Sequence, residues 1–407
     1  MKKIFILTLI LICYIQNSKG DEVFNLFEKA KKNLQFQENI YLNQEYYNQK
    51  DEALRKSRFL DLNSNISYSR IKATKLQNFY DISTINISNN IDIFNKTKYD
   101  LKINEFEKEK AEFLIQKEQQ QLFKNILDLY TSLLLYNQLI NLQQENIEWI
   151  QKNLKFTKDA IQHELFPPVE EDKWKSKLLT EEEKLINYKE NKDLIEKNLK
   201  ILTGVNDIKL EEINIPEKIE DLENIQNKIL ERYPDLKILN LDKFILETDY
   251  QKEKNYWYPN LSIFYEYQIN KDPTGNGNQN LIGTSINFKI LNGATKYNLL
   301  SIKTKEKSID ILQQREKLRI IQEINSIYSS LSDGLKRLPL IQQKYSILKE
   351  ILDKYQKAYQ MRLVDFIMLD NYYKDYLSAK ENYIQTQFKI YSNYQLLKYL
   401  ATGEIYK

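Results

Sequence analysis

The run Ile85-Asn86-Ile87-Ser88-Asn89-Asn90-Ile91-Asp92-Ile93 decides how this chain is read. Ile85, Ile87, Ile91 and Ile93 fall on one parity, and Asn86, Ser88, Asn90 and Asp92 on the other. Period two is the strand period, so one face is apolar and the other polar. The pattern recurs upstream, where Leu60, Leu62, Ile66 and Tyr68 alternate with Asp61, Asn63, Asn65, Ser67 and Ser69. It recurs downstream in Leu261, Ile263, Tyr265, Tyr267 and Ile269, and again in Ile282, Ile286, Phe288 and Ile290 opposite Ser285, Asn287 and Lys289. Strands of about ten residues with one apolar face suit a barrel in lipid with a polar lumen. They equally suit a half-buried soluble sheet, and alternation alone does not choose between the two.

The sequence beside these strands chooses. Thr97-Lys98-Tyr99-Asp100-Leu101 opens a very long helical stretch, and it recurs 198 residues on as Thr295-Lys296-Tyr297-Asn298-Leu299. The same shift relates Ile126-Leu127-Asp128-Leu129-Tyr130-Thr131-Ser132-Leu133 to Ile324-Asn325-Ser326-Ile327-Tyr328-Ser329-Ser330-Leu331. Leu202-Thr203-Gly204 returns as Ala401-Thr402-Gly403. One unit is therefore used twice. The first repeat, 21–204, is expected to hold a helix at 22–57, strands at 60–70 and 82–94, a long helix at 98–163 and a return helix at 168–203. The second, 222–407, is expected to hold a helix at 222–256, strands at 259–270 and 281–291, a long helix at 294–361 and a return helix at 364–402. Residues 205–221, with Ile213-Asn214-Ile215-Pro216, break the helical pattern and read as a linker or small equatorial collar.

A helix over 98–163 would span about 99 Å, and 168–203 and 22–57 about 54 Å each, so two short helices end to end match the long one. Ile341, Tyr345, Leu348, Leu352, Tyr355 and Tyr359 step by four and three, which lays a stripe on a neighbouring helix. Gly334 and Pro339 fall inside the second long helix, and Pro339 is expected to kink or split it, where the first repeat has Asn141. Helices this long expose seams that one chain cannot bury, which implies self-assembly.

Composition fits that picture. With 8 Gly and 7 Pro in 407 residues, long unbroken helices are possible, and 60 Lys+Arg against 57 Asp+Glu give no global field for nucleic acid. Lys2 and Lys3 before the apolar run Ile4–Ile15, with Ser18-Lys19-Gly20 after it, read as a secretory signal over 1–20. Cys13 lies within that signal, and lipidation there stays open, with bulky Ile12 before it. No enzyme is expected. The single histidine, His163, has no thiol or second histidine for a metal site, Gly275-Asn276-Gly277 lacks the lysine of a phosphate loop, and abundant carboxylates are matched by lysines. No metal or cofactor is expected.

Over essentially its whole mature length the chain resembles the TolC-like outer membrane efflux proteins. Five motifs carry the resemblance: Arg232-Tyr233-Pro234-Asp235-Leu236, Tyr258-Pro259-Asn260-Leu261-Ser262, Asn287-Phe288-Lys289-Ile290-Leu291-Asn292-Gly293, Leu369-Asp370-Asn371 and Tyr399-Leu400-Ala401-Thr402-Gly403. Each is weak singly, but their order and spacing are specific. The resemblance implies a mainly α fold with a membrane β-barrel portion. Long helical hairpins would form a periplasmic tunnel, and four transmembrane strands per chain would close a twelve-stranded barrel in a homotrimer. It implies an outer-membrane channel for efflux or type I secretion, with a large periplasmic extension, set in outer-membrane lipid. A periplasmic adaptor would be its direct partner, and an inner-membrane pump an indirect one. The competing reading is a secreted periplasmic coiled-coil adaptor or structural binding protein.

The resemblance also assigns roles to the hairpin tips, Glu164–Glu170 and Met361–Asp365. Leu165, Phe166, Arg362 and Leu363 would touch the adaptor. Glu164 and Met361 stand where the family has tip glycines. Asp370 falls on an acidic gate position, Ile367 replaces the neighbouring one, and Asp365 would add negative potential at the same gate. The loop Asn270–Asn280 and the polar stretch Lys72–Asp81 would face the exterior.

Overall fold

The computed structural model describes residues 22–72, 79–255, 257–272, 275–288 and 293–402. The signal segment with Cys13, Gly403 and the strand-exit residues 289–292 lie outside the described residues. Among these, eight helices and four strands follow in order. They are α1 (Glu22–Asn33), α2 (Phe36–Ser57), β1 (Leu62–Lys72), β2 (Phe79–Ile91), α3 (Thr97–Gln162), α4 (Val169–Thr203), α5 (Leu222–Arg232), α6 (Pro234–Lys254), β3 (Asn260–Asp272), β4 (Gly275–Asn287), α7 (Gly293–Gln360) and α8 (Phe366–Thr402). No described helix is long and apolar enough to cross a membrane.

Two expectations need correction at the short helices. The stretch 22–57 is two helices, α1 and α2, broken where Gln35 takes φ 56°. The stretch 222–256 is likewise split into α5 and α6, with extended Tyr233 ahead of Pro234. A residue before proline is pushed out of the helical region, and proline suits a first helical position, so one helix ends and the next begins there. A third difference concerns Pro339, which does not split α7: the helix runs from Gly293 to Gln360 with Pro339 inside. The long flanking turns outweigh the one hydrogen bond that proline removes.

The chain divides into two compact units, one of residues 1–37, 118–233 and 319–407, the other of residues 38–117 and 234–318. In the first, Val23, Leu26, Phe27 and Ala30 of α1 are fully buried with Phe123, Ile126 and Leu127 of α3. Phe123 stacks on Tyr399 of α8 at 3.9 Å between ring centroids. Gly204 ends α4 in the left-handed region, φ 68°, and its N–H donates to the Lys200 carbonyl. A Cβ there would lie 2.9 Å from Asn33 Oδ1, so Thr203-Gly204 marks a helix end that favours glycine. The segment after it has no helix or strand up to Asp221. It is tied down by Tyr130, whose hydroxyl donates to the Lys209 carbonyl and accepts from the Glu211 N–H.

The second unit carries the sheet, an antiparallel meander in the order β1-β2-β3-β4. Its register gathers the alternating residues of all four strands. Ile66 opposes Ile85, which opposes Tyr267; Ile87 opposes Tyr265, which opposes Ile282; Leu261 opposes Ile286. These form one apolar face, most of it exposed, including Ile66 and Ile282 at 77% each. Asn63, Asn65, Ser67, Thr84, Asn86, Ser88, Gln268 and Ser285 lie on the other. The strands run further than alternation predicts: β3 continues to Asp272 and β4 starts at Gly275, so most of the expected loop Asn270–Asn280 is paired hairpin. Polar glycine-rich sequence hides its strand character from a period-two reading. Residues 273–274, and residues 73–78 of the other expected loop, lie outside the described residues. β1 and β4 each have one edge with no partner strand among the described residues.

Candidate functional site

The expected site residues cluster where α3 turns into α4 and where α7 turns into α8, within the first unit. Both turns use one backbone device. At the end of α3 the Leu165 N–H donates to the Ala160 carbonyl and the Glu164 N–H to that of Ile161, with Glu164 at φ 59°. At the end of α7 the Leu363 N–H donates to the Ala358 carbonyl and the Arg362 N–H to that of Tyr359, with Arg362 at φ 64°. This paired bonding with one left-handed residue is a Schellman cap. The left-handed position of the second turn is held by Arg362, one residue after Met361. The 198-residue repeat shift, which maps Glu164 onto residue 362, is the sequence signal that would have found it.

The turns are finished differently. At the first, Pro168 precedes α4 in helical geometry with no side-chain cap. At the second, Asp365 caps α8: its Oδ1 accepts from the Met368 N–H at 2.9 Å. That is the usual role of an aspartate at a helix start. Leu165, Arg362, Leu363 and Ile367 are exposed, Leu363 at 74% and Ile367 at 56%. His163 is exposed as well, and Phe166 is half-buried.

Beneath the turns lies a cluster that sequence reasoning did not assemble. Ile150, Trp174, Leu352, Tyr359, Phe366, Leu369 and Tyr373 are buried together. Tyr359, the last residue of the predicted stripe, is fully buried. Its hydroxyl accepts from Trp174 Nε1 at 3.0 Å and lies 3.1 Å from Thr157 Oγ1. Burial pushes the Tyr359 phenol above its ordinary pKa, against the opposing pull of those two bonds. Phe166 stacks on Tyr359 at 5.2 Å, Phe366 meets Trp174 edge-on at 4.8 Å, and Trp149 stacks on Tyr373 at 3.6 Å. The two hairpin ends therefore share one aromatic core.

Asp370 is buried at 6% exposure, between helices. Its Oδ1 accepts from Lys177 Nζ of α4, and its Oδ2 pairs with Lys374 Nζ at 2.6 Å. The side chains of Lys177 and Asp370 are exposed by 8% and 9%, so the pair is largely shielded from solvent, and the Lys177 ammonium also lies over the Tyr373 ring. Further along the same helices, Lys184 reaches Glu381 at 2.9 Å, and Glu181 accepts from Gln143 and Asn146. No local pattern signals the Lys177–Asp370 pair, because the partners are 193 residues apart. Arranged this way, the site can hold helices together and present apolar tips, and among the described residues no group of His, Cys, Asp or Glu is placed to hold a metal.

Residues 39–205 match the model of the family described as outer membrane efflux protein. A comparison with curated proteins gives no match. Solved structures are similar along the whole chain. The outer-membrane channel OprN aligns with a TM-score of 0.76 at 15% identity, covering 94% of this chain and 90% of that one. The outer membrane protein VceC from Vibrio cholerae aligns with a TM-score of 0.74 at 14% identity, covering 95% and 97%. The Campylobacter jejuni CmeC outer membrane channel aligns with a TM-score of 0.68 at 15% identity, covering 94% and 86%. Residues 39–205 are thus similar in sequence to the outer membrane efflux proteins, and the chain shares the fold of the outer-membrane channel OprN over 94% of its length.

Proposed function

We propose that this chain is the channel-tunnel subunit of a tripartite efflux or type I secretion system, and that it conducts substrates across the outer membrane as a homotrimer. The observation that carries this reading is the sheet, which has one apolar face and, among the described residues, two edges without partner strands. A bilayer tolerates no open edge, so strands in lipid must close into a barrel. Four strands are fewer than the roughly eight of the smallest bacterial barrels, and three copies give an even twelve. Exposed apolar side chains on the helices of the second unit, such as Tyr41, Leu42, Tyr46 and Leu318, fit helix packing between copies. A periplasmic adaptor has no need of such a sheet.

The hairpin ends would form the periplasmic entrance. Leu165, Arg362 and Leu363 would meet a periplasmic adaptor, with Phe166 set behind them against Tyr359, and an inner-membrane pump would engage through that adaptor. The gate would lie at 365–370, where Ile367 offers an apolar ring, Asp365 fixes the helix start and Asp370 holds α8 to α4 through Lys177. Planar-bilayer conductance of the detergent-extracted protein, with its oligomeric mass measured in parallel, tests this. Discrete steps from a species of three chains support it. A water-soluble monomer or dimer that never inserts retires the barrel.

A further inference from the structure

The polar face of the sheet is nearly free of charge. Its described side chains are asparagine, serine, threonine and glutamine with a few apolar residues, and among them Glu266 is the only ionisable one. Glu266 lies midway along β3, opposite Asn86 on one side and Leu281 on the other. Its Oε2 accepts from Asn86 Nδ2 at a long 3.4 Å, and among the described residues no cation pairs with it. Two residues earlier on the same face, the far end of the Phe264 ring reaches across Gly283. A Cβ on Gly283 would sit 2.6 Å from the ring, so the aromatic surface against the wall depends on that glycine. Leu281, directly across from the carboxylate, is 53% exposed. An anion is thus flanked by aromatic and aliphatic surface on an otherwise uncharged polar wall.

We propose that Glu266 is a specificity-determining residue of the channel, giving the barrel wall a preference for cations and, through Phe264 and Leu281, for cations that carry apolar groups. The proposal rests on the channel reading above, which turns this face to the lumen. A carboxylate with no cation beside it on an otherwise uncharged wall attracts counter-ions, and three copies would place three around the pore. A twelve-stranded barrel is wide, so the field reaches across it only when the Debye length is long, about 30 Å at 0.01 M salt against 3 Å at 1 M.

The test is the reversal potential of the purified protein in planar bilayers under a dilute salt gradient, first with potassium chloride and then with tetrabutylammonium chloride. Glu266→Gln should lower the cation-over-anion permeability ratio by about twofold or more at low salt, and the difference should vanish near 1 M. Gln268→Glu added to that variant returns a carboxylate to the same face, two residues away, and should restore the ratio. A purely structural role for Glu266 would not be rescued this way. Phe264→Ser should reduce the ratio for tetrabutylammonium and leave that for potassium unchanged. An unaltered ratio in Glu266→Gln channels that insert and conduct overturns the proposal and leaves the channel standing. A wild-type protein that never conducts overturns both.

Discussion

The two hairpin ends solve one backbone problem with two different chemistries. Each closes its long helix with the same pair of hydrogen bonds around one left-handed residue, Glu164 or Arg362. Beyond that residue they part. The first end enters its return helix through Pro167 and Pro168 without a side-chain cap, and Phe166 folds inward onto Tyr359. The second enters through Asp365, which caps, and leaves Leu363 and Ile367 in the open. The main-chain geometry is common to both repeats, because both turns must reverse a helix in the same few residues. The side chains differ, giving a packed end and a capped, exposed one, joined by the aromatic core beneath.

The harshest challenge to that comparison is Trp174→Ala. Removing a buried tryptophan costs about 3–5 kcal/mol. Because Trp174 bonds to Tyr359 and packs on Phe366, amide exchange should accelerate at both hairpin ends together. Loosening of the first end alone would separate the two and refute a shared core. Next comes Asp370→Ala, which strands the buried Lys177 ammonium and should cost about 3 kcal/mol in the contact of α4 with α8. In bilayers the same variant should raise single-channel conductance. Unchanged conductance and unchanged cation selectivity would remove Asp370 from the gate while leaving the channel intact.

How much of this the sequence disclosed depends on the range of the signal. Strand faces were legible because parity is local, and the register then brought Ile66, Ile85 and Tyr267 into one row as alternation implied. The long helices were legible from their scarcity of glycine and proline and from the repeat. The breaks at Gln35 and Tyr233 were not read, although Pro234 announced the second. Strand ends were misjudged at Gly275–Asn280, where polar residues pair as firmly as apolar ones because the ladder bonds are main-chain. At the site, Tyr359 stood out as the end of a heptad stripe, but its bond from Trp174 and the Lys177–Asp370 pair are tertiary contacts that no spacing encodes. Asp365 carried a readable capping signal that the gate reading passed over.

A milder variant separates the ends instead of linking them. Asp365→Ala removes the cap of α8 and should cost about 1 kcal/mol, seen as faster exchange of the Met368 and Leu369 amides. The first end has no such side-chain cap and should not respond. A response there would mean that the cap acts through the aromatic core and not on its own helix.

The smallest effects should run in the opposite direction. Glu164 and Arg362 hold left-handed backbone that disfavours any side chain with a Cβ, and glycine adopts it freely. Glycine also loosens the unfolded chain, which offsets part of the gain. The net result for Glu164→Gly, and equally for Arg362→Gly, should be stabilisation of its own turn by about 0.5–1 kcal/mol. It would appear as slower exchange of the Leu165 or Leu363 amide, the donors that close the two caps. Equal gains would show that the repeat preserved the strain along with the geometry. A gain at one end only would mean that the other side chain makes contacts across the assembled entrance that compensate for its backbone. Since Leu363 is 74% exposed in the single chain, the second end is where such contacts have room to form.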